Sequence, residues 1–83
     1  MAIAPDVPVS GLNPAPGYGI RIAKARLSVN KTRRDLAQAI DVTYGTVRRW
    51  ELEELTPSDE NLVRVARVTK LNAGWLLFGD TMP

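Results

Sequence analysis

The sequence predicts an all-α fold, a bundle of five short helices preceded by a proline-rich N-terminal arm. Three observations predict it. Apolar residues recur three and four apart through residues 18–29, 32–40, 44–51 and 59–70, the spacing that gives a helix one buried face, and a shorter apolar run, WLLF, follows. Helix-starting side chains stand ahead of four segments: Thr32, Thr43, Thr56 or Ser58, and Asn72. Asn30, Asp41 and Gly79 stand where helices must end, and each tolerates the left-handed conformation of a tight exit. At 83 residues the expectation is one domain, near the lower end of what buries a core unaided. Its parts are a flexible arm over 1–17, a helical domain over 18–80 and a tail over 81–83.

Composition narrows the function classes. There is no cysteine and no histidine, which removes disulfides, thiol nucleophiles, imidazole bases and the usual zinc ligands. Carboxylate-only catalysis needs a cleft that a small helical domain rarely builds, so no enzyme activity, cofactor, metal or small-molecule substrate is expected. No apolar run approaches membrane-spanning length and no signal-peptide pattern opens the chain, which points to a cytoplasmic protein with no membrane partner. The net charge of +2 says little, but its placement says more. Lys31, Arg33, Arg34, Arg48 and Arg49 outweigh Asp35 and Asp41 in residues 31–50, whereas residues 51–60 hold Glu51, Glu53, Glu54, Asp59 and Glu60 with no base.

Taken in order, residues 1–17 carry Pro5, Pro8, Pro14 and Pro16 without a periodic apolar face, as a linker does. Their alternatives are disorder, or packing of Ile3, Val7, Val9 and Leu12 on a neighbouring subunit. The first helix turns Ile22, Ala25 and Val29 inward and Arg21, Lys24 and Ser28 outward. In the second, Thr32 and Asp35 stand at the spacing of a capping box, and Leu36, Ala37 and Ile40 form the inward stripe. In the third, winding at about 100° per residue gathers Thr46, Val47 and Trp50 on one arc and Tyr44, Gly45, Arg48 and Arg49 on the other. The fourth packs through Leu62, Val65, Ala66 and Val68, with Arg64 and Arg67 outside, and Asp59 and Glu60 suit its positive first turn.

Leu36-Ala37, the turn Asp41-Val42-Thr43, then Val47, Trp50 and Glu51, and finally WLLFGD follow one another at compatible spacing, and over residues 19–80 the chain resembles the Cro and lambda-repressor-like helix-turn-helix family. The resemblance implies a lambda-repressor-like bundle and a phage-type transcriptional repressor that binds double-stranded DNA as a homodimer on a two-fold symmetric operator. The second helix of the motif would lie in the major groove. The residues it assigns to DNA are Lys31, Thr32, Arg33, Arg34, Thr43, Tyr44, Gly45, Thr46, Arg48 and Arg49. Arg49 suits the two major-groove acceptors of guanine, and Arg48 a base or a phosphate. Tyr44 offers a hydroxyl and a ring edge. Gly45, a poor helix former, either admits the helix deep into a groove or is neutral. Arg33 stands where the family has a backbone-contacting glutamine, and cations at a helix start, unfavourable against its dipole, suit a phosphate site.

The resemblance also pairs Arg26 with Glu51 as a structural salt bridge. Trp75 and Leu76 fall to the core and Leu77 and Phe78 to a dimer interface, unless all four are core. One stretch departs from the pattern. Where relatives carry a glycine and then basic residues, this chain has Glu53 and Glu54, whose charge opposes a DNA backbone and which no local rule explains. The alternative is therefore a protein-interaction module of antitoxin or antirepressor type, binding a protein partner through the acidic 51–60 segment.

Overall fold

The computed structural model describes residues 14–79. They form α1 (Tyr18–Ser28), α2 (Arg33–Ala39), α3 (Tyr44–Glu51), α4 (Asp59–Thr69) and α5 (Ala73–Phe78), with no strand among the described residues. Local signals account for where α2, α3, α4 and α5 start. Thr32 Oγ1 accepts from Asp35 N and Asp35 Oδ2 accepts from Thr32 N, both at 3.0 Å, a reciprocal box. Those bonds to the carboxylate hold the Asp35 pKa below its usual value. Thr43 caps α3 and Asn72 caps α5. Of the two candidates before α4 it is Ser58 that accepts, from Asn61 N at 3.1 Å.

The exits share one device. Asn30, Asp41, Glu53 and Lys70 all take positive φ, between 57 and 62°. After α1, α2 and α3 the two following amides fold back on the helix, as Glu54 N does to Arg49 O at 2.8 Å and Glu53 N to Trp50 O at 3.1 Å. Asn and Asp tolerate this conformation. Glu53 and Lys70 bear its steric cost, roughly 1 kcal/mol each.

The core is one cluster contributed by all five helices, with Ile22, Leu36, Val47, Trp50, Leu62, Val65 and Leu76 fully buried. α3 lies against α2 and α1, while α4 and α5 close the far side of α1. Trp75, expected wholly in the core, is only half-buried at its edge, as is Val68, and Val29 is half-buried too. Val29 and Val68 sit at or beside the last turn of their helices, where fewer neighbours surround a side chain.

The boundary of the expected arm moves back from Gly17. Pro14 is buried, Ala15 N donates to Leu77 O at 2.6 Å, and residues 14–17 run as a strap across the end of α5. The rest of the proposed arm, including Ile3, Val7, Val9 and Leu12, lies outside the described residues, as do residue 80 and the 81–83 tail. No described helix is long and apolar enough to cross a membrane.

Candidate functional site

The α2–α3 pair places the expected contact residues as follows. On α3, Val47 and Trp50 are buried, Thr46 is half-buried, and Gly45, Arg48 and Arg49 are exposed with Tyr44 at 44%. Thr46 works within the helix start: its N–H donates to Thr43 Oγ1 at 3.1 Å and the two hydroxyls are 2.9 Å apart. A Cβ on Gly45 would meet only Thr43 Oγ1, at 3.9 Å, so nothing inside the fold requires glycine there.

Tyr44 joins the two helices. The Arg34 guanidinium carbon lies 5.6 Å from the centroid of its ring, a cation–π contact across the turn. Thr32, Arg34 and Thr43 are exposed and Lys31 is half-buried, so the cationic start of α2 adjoins the open first turn of α3. Such a surface, with free helix-start amides beside cationic side chains, suits a polyanion.

Arg33 has a different primary role from the one its position suggested. Its Nε donates to Glu51 Oε1 at 2.9 Å. The Glu51 carboxylate, and after it the Tyr44 hydroxyl, raise the Arg33 pKa above its usual value. Arg26 takes the same carboxylate from the other side, Nε to Oε2 at 2.7 Å and Nη2 to Oε1 at 3.1 Å, and its Nη1 donates to Lys31 O at 2.9 Å. Glu51, its side chain 3% exposed, thus lies between two guanidiniums and ties α3 to both α1 and α2. Arg33 can reach a phosphate only with the terminal nitrogens that this bond leaves over.

Of the two acids left without a local role, Glu53 has one in the tertiary structure. Glu53 Oε2 accepts from Gly19 N at 3.1 Å. This is the cap of α1, whose own N-cap, Gly17, has no side chain to offer. Contact is close because Gly19 lacks a Cβ: one there would run into the Glu51 carbonyl oxygen and come within 2.9 Å of Glu53 Cγ. Glu60 pairs with Arg64 at 2.9 Å and Asp59 Oδ1 accepts from Glu60 N. Glu51 and Glu53 are therefore engaged between helices, Asp59 and Glu60 only in contacts local to α4, and Glu54 and Glu60 remain exposed.

Sequence reading missed Arg21, expected on the outer face of α1. Its guanidinium turns over the end of α5 onto four carbonyl oxygens, and no local pattern signals a contact made 55 residues away. At α5 itself, Leu77 is half-buried and Phe78 is 42% exposed.

Residues 22–76 match the model of a family described as helix-turn-helix. The HTH-type transcriptional regulator DicA of Escherichia coli is 34% identical over 62 residues, which is 75% of this chain and 46% of DicA. An uncharacterized HTH-type transcriptional regulator of Haemophilus influenzae is 40% identical over 45 residues, 54% of this chain and 19% of that protein. The matches thus span less than half the length of either relative. Among solved structures, the P22 c2 repressor in complex with synthetic operator 9T, in the presence of Tl+, is similar with a TM-score of 0.70 at 27% identity, covering 76% of this chain and 96% of that one.

Proposed function

We propose, from the premise that this chain belongs to the helix-turn-helix family, that it is a sequence-specific DNA-binding transcriptional regulator of phage-repressor type, acting in the cytoplasm. α3 is the recognition helix, and a homodimer formed through Leu77 and Phe78 binds a two-fold symmetric operator. The observation that carries this reading is the open cationic face of α3, with Arg48 and Arg49 exposed and Tyr44 bridged to Arg34 at the start of α2. The likeness to a repressor solved with its operator supports it.

Roles follow from geometry and chemistry. Arg49 donates to guanine O6 and N7, and Arg48, beside it, reaches a base edge or a phosphate. Tyr44 presents its hydroxyl at the first turn. Lys31, Thr32, Arg34 and Thr43 hold the backbone through side chains and helix-start amides, and Arg33 adds to this through its terminal nitrogens. With Gly45 bare, α3 approaches the groove floor closely.

Selection of bound sequences from a random DNA pool at physiological salt tests the reading. An inverted repeat should emerge, and affinity should fall with salt on a log–log slope of about −0.9 per phosphate neutralised. Arg49→Ala should relax preference at one base pair per half-site, at a cost of roughly 1–3 kcal/mol, with stability unchanged. A pool that returns no enriched motif sinks the assignment.

A further inference from the structure

Arg21 makes an unusual set of bonds for a surface-proximal arginine. Nε donates to Leu76 O at 3.0 Å, Nη2 to Leu77 O at 3.1 Å and Ala15 O at 2.7 Å, and Nη1 to Pro16 O at 2.9 Å. Four bonds use most of the five N–H donors of a guanidinium. The cradle is fitted to the group. Gly17 and Gly79 flank it, with φ of 92 and 70°, and a Cβ on either would come 3.2 or 3.3 Å from Nη1.

α5 has six residues, too few to hold a helix by its own propensity. Its last carbonyls carry the negative end of the helix dipole and need donors. Gly79 N serves Trp75 O, Ala15 N serves Leu77 O, and Arg21 serves Leu76 and Leu77 together. The guanidinium is thus one of three donor groups that hold the turn carrying Leu77 and Phe78, and the one that serves two of its carbonyls. The same group holds the strap, so the end of α5 and residues 14–17 form one composite surface.

We propose that Arg21 is the positioning residue for self-association: by gripping the end of α5 and the strap at once, it shapes the surface that a second copy of this chain meets. This rests on the homodimer reading above. Arg21 itself touches neither DNA nor the partner copy.

Sedimentation of the full chain over a concentration series, with titration onto half-site and inverted-repeat duplexes, tests it. Arg21→Gln, measured well below its melting temperature, should raise the dimer dissociation constant by about tenfold or more while half-site affinity stays at the wild-type level. Arg21→Lys, which keeps the charge at the helix end but cannot span four carbonyls, should fall between. Gly79→Ala both crowds Nη1 and strains a backbone held at φ 70°, so it should weaken the dimer at least as much, and Arg21→Lys is the variant that serves if Arg21→Gln does not fold. An unchanged dimer constant in Arg21→Gln, or half-site affinity lost in step with dimerisation, overturns the proposal. A wild-type chain that stays monomeric alone and on the inverted repeat removes the homodimer reading and this proposal together, whereas half-site binding in that case leaves the DNA reading standing.

Discussion

At its first turn α3 presents Tyr44 to solvent, with Gly45 open beside it and a cation from α2 over the ring; at its last turn the Glu51 carboxylate is buried between two guanidiniums, and its carbonyl oxygen lies against Gly19. The helix is eight residues long, so these environments are two turns apart. The difference shows how a short helix can be held firmly while leaving a face free. Its salt-bridged charge is at one end, on Glu51, with Glu53 just beyond the helix, and Arg48 and Arg49 make no ion pair among the described residues. A recognition helix anchored along its length would have used the cations it needs outside.

The largest effect should come from cutting the anchored end. Glu51→Ala strands Arg26 and Arg33 without their shared carboxylate, and loss of one partner of a buried pair costs about 3–5 kcal/mol. Denaturant unfolding checks this. A cost below 1 kcal/mol would mean that packing of Trp50 and Val47, not the clamp, fixes α3.

Two glycine substitutions sharpen the contrast by moving stability in opposite directions. Gly19→Ala puts a methyl against the Glu51 carbonyl and should destabilise by roughly 1–3 kcal/mol, as overpacking does. Gly45→Ala meets open space and should stabilise by about 1 kcal/mol through helix propensity. If α3 sits deep in a groove, the second variant should also bind operator more weakly, so thermal melts and binding titrations would move oppositely. Equal operator affinity would leave Gly45 a neutral choice.

The smallest effect concerns pH. Asp35 has its folded pKa depressed by the bonds of the capping box, so the box contributes fully above the unfolded carboxylate value and is lost as pH falls through the depressed one. Melting temperature against pH for the wild type and Asp35→Asn should differ near neutrality and converge in acid. Curves that stay parallel throughout would assign the acid sensitivity to other carboxylates.

The five helices, their caps at Thr32, Thr43 and Asn72, and the outward arc of α3 were legible from residues alone, because each depends on partners within about one turn of the chain. Three other features were not. Arg33 reads as a free cation at a helix start, but 18 residues on it meets Glu51. Glu53 reads as an acid misplaced near a polyanion, but its neighbour in space is the unpaired amide of Gly19. Arg21 reads as an outer-face side chain, but the carbonyls that draw it inward belong to α5 and the strap.

The sequence by itself determined which segments are helical, which face of each is apolar and where cationic side chains are concentrated, since spacing and capping chemistry are properties of neighbours along the chain. Only the tertiary structure decided which charges remain available for a partner. A charged side chain is committed by whichever opposite charge or orphaned backbone group the packing brings within about 3 Å, and that proximity, set by how helices cross, is written at no single position.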